Sequence, residues 1–232
     1  FCDIHETSFN IDVTKLERSI GNNVEAILPV HVFGNPCEVE AISRIADRNS
    51  LKVVYDAAHA FNVNYKGESV LKHGDMSILS FHATKIFHTV EGGAIITNDD
   101  SYAEKSRSLI NFGFDKNHNI SDVGINAKIN EFEAAMGLCM LDEYDRVEGE
   151  RKGLWNIYKE ELKDLVLLQE RSEHSSNNYS YAPVVFETEN QVLKVTELLG
   201  QLEIYPRRYF YPSLNSVSCL GGGKDYIVAE DL

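Results

Sequence analysis

The sequence predicts an α/β fold built on a mostly parallel sheet flanked by helices, and three observations carry that expectation. Residues 37–49 place Val39, Ile42, Ile45 and Ala46 on one helical face and lead directly into an apolar run at 51–55. A β-rich run at 24–33 precedes that helix, so the three segments read as a βαβ unit. Two further runs, 76–81 and 94–97, are almost unbroken in apolar character, as strands of a sheet covered on both faces require.

Taken in order, Asp12 opens a short helical pattern that Gly21-Asn22-Asn23 ends. Gly34-Asn35-Pro36 turns the chain out of the first strand. Helices are expected over 101–110 and over about 130–163, the second interrupted near Gly149 or Gly153. Beyond about residue 166 a polar stretch at 170–178 precedes a strand at 179–186, a helix at 189–202 and a strand-like segment at 204–211. Two domains are therefore expected, a large one at 1–165 and a smaller α+β one at 166–232. The opening Phe1-Cys2-Asp3-Ile4 reads as the middle of a strand, and 225–232 as the start of a helix, so truncation is expected at both ends.

Composition excludes several classes. The 232 residues are 43% hydrophobic and 25% charged with 15 Gly and 5 Pro, which rules out disordered, collagenous and coiled-coil chains. A net charge of −14, from 22 Lys and Arg against 36 Asp and Glu, repels phosphate backbones and anionic lipid. No nucleic-acid or membrane partner is expected, and any anionic ligand must be met locally. Cysteines at 2, 37, 139 and 219 lack metal-ligand or disulfide-framework spacing, which points to a reducing cytoplasm. His31, His73 and His82 likewise lack metal spacing and read as structural.

Ligands of an open parallel sheet bind beyond the carboxyl ends of its strands. The strand at 51–55 runs into Asp56-Ala57-Ala58-His59, and the strand at 77–81 into His82-Ala83-Thr84-Lys85, with Glu91-Gly92-Gly93 following. A carboxylate on one strand tip and an amine on the next suit an aldehyde cofactor with a basic ring nitrogen, namely pyridoxal phosphate. Asp56 is the candidate to keep the ring nitrogen protonated. Lys85 is the candidate amine, its pKa lowered by burial beside cations, and Ser80 offers a hydroxyl to the phosphate. Taken singly, an aspartate at a strand tip is equally a helix cap, and one Ser-x-x-x-x-Lys is a weak motif.

The string from Lys52 to Asn98, with FCDIHETSFNIDVTKLERSI, LPVHVFGNP and GINAKINEFEAAMG around it, resembles the DegT/DnrJ/StrS sugar aminotransferases, pyridoxal-phosphate enzymes of fold type I. The resemblance covers most of the chain. It implies that Asp56 pairs the pyridine nitrogen, that Lys85 condenses with the aldehyde, that Ser80 binds the phosphate, and that Asn126 reaches the phosphate of a neighbouring subunit in a homodimer. From its neighbour Gly124 alone, Asn126 reads equally as a turn residue. His59 stands where glutamine is frequent and implies a contact to the cofactor hydroxyl, as in a subgroup acting on dTDP-6-deoxy-4-ketohexoses. His88 stands where asparagine is common.

The retained Lys85 favours amino transfer over dehydration. The resemblance thus implies transamination of a nucleotide-linked keto-deoxysugar, first dTDP-4-keto-6-deoxyglucose, with L-glutamate as donor. A fold-type-I lyase or desulfurase and an inactive truncated relative are the alternatives. Residues 206–212, basic and aromatic in an acidic chain, suit a nucleotide diphosphate through Arg208 and Tyr209, or equally an edge strand.

Overall fold

The computed structural model describes residues 1–220 and 226–231. Helix α1 (Val13–Ser19) starts at Asp12, whose carboxylate accepts from the Thr14 backbone N–H at 2.9 Å and satisfies one of the open donors of the first turn. Strand β1 (Ala26–Ile27) is followed by α2 (Val39–Asn49), which buries Val39, Ile42, Ile45 and Ala46 and ends at Ser50 in a left-handed conformation. Strand β2 (Lys52–Asp56) comes next, then a hairpin of β3 (Asn64–Tyr65) and β4 (Glu68–Ser69). Strands β5 (Met76–Ser80) and β6 (Gly93–Ile96) complete the main sheet, and α3 (Asp100–Leu109) follows.

The sheet runs β1-β2-β5-β6, with β1, β2 and β5 parallel and β6 antiparallel to β5. Alternation along β2 and β5 sends Val53, Tyr55, Ser77 and Leu79 to one face, where they pack with Ile27, Ile42 and Val63 in the main core. Each such large apolar side chain contributes about 1.5–3 kcal/mol on burial. The opposite face is not covered as expected from the apolar runs. Ile78 and Ile95, paired across β5 and β6, are 42% and 47% exposed. Asp56 and Ser80 lie on this open face, because Asp56 pairs with Ile78 and Ser80 follows two residues later.

Three other expectations are corrected. The run at 24–33 is not one strand: Pro29 lacks an N–H for a ladder, Val30 keeps a single bridge to Asp56, and Val32–Gly34 coils into a 3-10 turn. Residues 1–4 are no strand interior, since Ile4 makes only an isolated bridge to Ile11. The long helix α4 (Glu131–Leu162) is unbroken, because Gly149 and Gly153 face open space and interior glycine costs only about 1 kcal/mol. Its start is fixed by a capping box between Asn130 and Glu133.

Beyond α4, β7 (Leu167–Leu168) pairs antiparallel with β8 (Val184–Val185), and α5 (Glu189–Gly200) follows from a Thr188–Gln191 capping box. The strand expected over 179–186 is thus reduced to two residues. The strand-like reading of 204–211 is also wrong: its aromatic rings pack on Phe33 and Tyr181 instead of joining a ladder. Helix α6 (Ile227–Asp231) closes the described part. No helix among the described residues is long and apolar enough to cross a membrane.

Candidate active site

The site begins at the carboxyl end of β2. Asp56 is held from both sides, its N–H donating to Pro29 O at 2.9 Å and its carbonyl accepting from His31 N at 3.0 Å. Its side-chain Oδ1 accepts from the Ala58 N–H at 3.0 Å, so the carboxylate keeps one orientation on the open face. The chain then turns, Ala60 N–H bonding to Ala57 O at 2.8 Å, and presents His59.

His59 sits between two rings. Phe33 lies parallel to it at 5.8 Å between centroids, and Tyr181 at 4.5 Å. Its Nδ1 accepts from the Phe33 backbone N–H at 3.1 Å, so a neutral ring carries its proton on Nε2. Burial, with the Lys85 charge adding, pushes its pKa down to about 4. The neighbouring backbone is tightly drawn: Phe33 has φ 56° and Gly34 φ 74°, and a Cβ on Gly34 would stand 2.7 Å from His59 O.

Lys85 lies on the loop joining β5 to β6, where its N–H closes a turn on His82 O at 2.9 Å. The loop is anchored immediately afterwards. Ile86 and Phe87 are buried with Tyr144 of α4, and Phe87 stacks on Phe61 at 4.3 Å. Half-burial lowers the Lys85 pKa first; the nearby Asp56 carboxylate opposes the change and Arg207 reinforces it. Asp56, His59 and Lys85 therefore form one electrostatic group, contributed by the ends of β2 and β5. An amine with a depressed pKa beside a fixed carboxylate is nucleophilic nearer neutrality than an ordinary lysine.

Of the other residues singled out in the sequence, Ser80 stands at the end of β5, its Oγ accepting from His82 N–H at 3.4 Å. Asn126 is exposed on the loop between α3 and α4, where its Oδ1 accepts from Lys128 Nζ at 2.7 Å. No hydrogen bond joins it to Asp56, His59, Ser80 or Lys85 among the described residues. Tyr209 does reach the group, edge-on to Phe33 at 5.7 Å and to Tyr181 at 6.2 Å. Arg208 makes no contact with it among the described residues: it pairs with Glu189 at 2.8 Å and lies over Tyr211 at 3.5 Å.

Three neighbours escaped the sequence reading, and a fourth, Arg207, lay in the basic and aromatic stretch 206–212 without being the arginine singled out there. Phe33, Tyr181 and Arg207 act on His59 or Lys85 through space, and Asn178 holds the His59 loop from 119 residues away in sequence. Such long-range pairings have no local pattern to announce them.

The solved structure of DesI in the presence of its TDP-sugar product superposes with a TM-score of 0.91 at 32% identity, covering 99% of this chain and 60% of that one. The fold is thus that of the pyridoxal-phosphate sugar aminotransferases. Residues 1–221 match the DegT/DnrJ/EryC1/StrS aminotransferase family, and the chain belongs to that family. It is 43% identical over 217 residues to a dTDP-4-amino-4,6-dideoxy-D-glucose transaminase of Shigella dysenteriae, and 37% over 229 residues to one of Escherichia coli. These alignments cover 91% and 96% of this chain but 59% and 61% of the two enzymes, so the chain spans about three fifths of their length.

Proposed function

We propose that this chain carries the catalytic lysine and ring-binding residues of a pyridoxal-phosphate-dependent transaminase acting on a nucleotide-linked keto-deoxysugar. The observation that carries the reading is the grouping of a fixed carboxylate, Asp56 at the end of β2, with a partly desolvated amine, Lys85 on the loop after the neighbouring strand β5, whose pKa that carboxylate acts on. That donor set fits pyridoxal phosphate: a carboxylate for the ring nitrogen, an amine for the aldehyde, the neutral His59 for the ring hydroxyl and the Ser80 hydroxyl for the phosphate.

When bound, the cofactor supplies an aldehyde and a protonated ring that take up the electron pair released at the α-carbon of the amino donor. Asp56 would hold the proton on the pyridine nitrogen. Lys85 would supply the uncharged amine that holds the aldehyde, and the same amine would serve as general base toward the donor's α-proton and as general acid in returning it. His59, with Nε2 as its donor, would orient the ring without adding charge.

dTDP-4-keto-6-deoxyglucose as first acceptor extends this reading, supported by the names of the two related enzymes and by His59, and L-glutamate as donor extends it through the family resemblance. A homodimer with shared sites extends the reading through the family resemblance at Asn126, which is exposed on the loop between α3 and α4. A cofactor-binding part at 1–165 and a smaller part at 166–232 complete the proposal. A cytoplasmic location suits the four cysteines, all free thiols.

The test is an absorbance spectrum with added pyridoxal phosphate, for the wild type and Lys85→Ala, followed by L-glutamate. The expected result is a band near the visible edge in the wild type only, bleached by glutamate with stoichiometric formation of pyridoxamine phosphate. A band independent of Lys85, or one that glutamate leaves unchanged, defeats the proposal.

A further inference from the structure

Two adjacent arginines, Arg207 and Arg208, leave the chain side by side and have opposite surroundings. Arg208 is neutralised by Glu189 at 2.8 Å and covered by Tyr211. Arg207 pairs with no carboxylate among the described residues, although the chain carries 36 acidic groups against 22 basic ones. Instead its guanidinium lies 4.9 Å from the ring centroid of Tyr209. Tyr209 meets Tyr181 at 6.2 Å, and Tyr181 meets His59 at 4.5 Å, so an unbroken line of rings fixes the arginine relative to the site. A guanidinium laid on an aromatic face keeps its N–H edge free for a planar anion.

We propose that Arg207 is the anion-recognising residue of this site, binding the oxygens of a substrate carboxylate or diphosphate. The inference rests on the transaminase reading, in which both substrates are anions entering an acidic chain. The positive charge of Arg207 reaches Lys85, lowering its pKa behind the larger effect of burial, and also reaches the Tyr181 hydroxyl. An amino donor carries its carboxylate one bond from the α-carbon at which Lys85 works, and a nucleotide sugar carries its diphosphate beyond the sugar ring. The donor carboxylate falls beside the reacting amine and the diphosphate about one sugar ring away, whereas Arg208 is already paired with Glu189 and covered by Tyr211.

The experiment compares wild type, Arg207→Gln and Arg208→Gln in three measurements. The first is calorimetric binding of dTDP, which involves no turnover. The second is the glutamate concentration that half-saturates bleaching of the cofactor band. The third is the apparent pKa of Lys85 in cofactor-free protein, from competitive acetylation across pH read by peptide mass spectrometry. Arg207→Gln is expected to weaken dTDP or glutamate by about 10-fold to 100-fold, the range for a charged hydrogen-bonding partner, and to raise the Lys85 pKa. Arg208→Gln is expected to leave all three unchanged.

Loss confined to glutamate assigns the carboxylate to Arg207, and loss confined to dTDP assigns the diphosphate. Retention of both anions by Arg207→Gln, or equal losses in the two variants, overturns the proposal. Failure of the transaminase reading is separately visible, as a wild type without a Lys85-dependent band, and in that event dTDP binding still decides the role of Arg207.

Discussion

The side-chain amide of Asn178 donates to the backbone carbonyl of His59 at 2.9 Å, and also to that of Phe61 at 2.9 Å. Asn178 is fully buried, so its amide has no water to turn to and both bonds gain from the partial exclusion of solvent. The loop carrying the site imidazole is thereby clamped by a residue from the segment after α4. Asn178→Ala leaves two partly buried carbonyls without their donor, and we expect a loss of about 1–3 kcal/mol. Urea denaturation at neutral pH checks this, and an unchanged midpoint would show that water replaces the amide without penalty.

Gly34 presses on the same loop. Its φ of 74° disfavours any L side chain, and the Cβ of an alanine would meet His59 O at 2.7 Å. Gly34→Ala should destabilise by about 1–3 kcal/mol and weaken cofactor binding as His59 is displaced. Gly21→Ala, with nothing within 4 Å, is the control and should stay within about 0.5 kcal/mol of wild type. Equal effects of the two substitutions would contradict the close approach.

Acid should loosen the fold through His31. This ring is buried, stacked on Tyr55 at 4.6 Å, and its Nδ1 accepts from Cys37 N–H at 3.1 Å. Burial, with the His73 charge adding, holds its pKa down to about 3, against about 6.5 in an unfolded chain. Its folded pKa is depressed, so its contribution is complete above about pH 6.5 and is lost as pH falls towards 3, at about 1.4 kcal/mol per unit. Between pH 7 and pH 5 this amounts to about 2 kcal/mol, and His31→Phe should show a shallower decline over that interval. Parallel stability curves for wild type and variant would remove His31 as the cause.

Asp56 and Lys85 should separate on substitution. The Asp56 carboxylate raises the Lys85 pKa against the larger effect of burial, so Asp56→Asn should lower that pKa and make the amine more reactive to acetylation. Glutamate-driven turnover should nevertheless fall, by about 100-fold or more, because the ring nitrogen loses the carboxylate that holds its proton. Turnover that rises with amine reactivity would show that Asp56 serves Lys85 alone.

Much of this arrangement is legible locally. The apolar run ending at Asp56, the amphipathic α2 and the run ending at Ser80 each obey a short period, and each forms where its pattern places it. Patterns failed where rings and prolines mimic strands. Residues 24–33 are apolar enough for a strand, but Pro29 breaks the donor series and Phe33 adopts a left-handed turn to meet His59. Residues 204–211 are rich in aromatic, strand-forming side chains, yet Tyr209 and Phe210 are drawn onto Phe33, 176 and 177 residues away in the chain. Arg207 and Arg208 are indistinguishable in sequence, and only Glu189 and Tyr209 separate their roles.

Helix α4 has a consequence for how this chain tolerates change. Near one end Gly137 and Tyr144 are buried against the loop that carries Lys85, and near the other Arg151 donates to Ser180 O at 3.2 Å while Trp155 meets Tyr179 at 5.9 Å. Most of its surface is solvated, so individual side chains there are free to drift. Its length is not: each residue added or removed between Tyr144 and Arg151 turns one end by about 100° and shifts it by about 1.5 Å relative to the other. In a lineage of such proteins, substitutions should accumulate along this rod while insertions and deletions are purged from it.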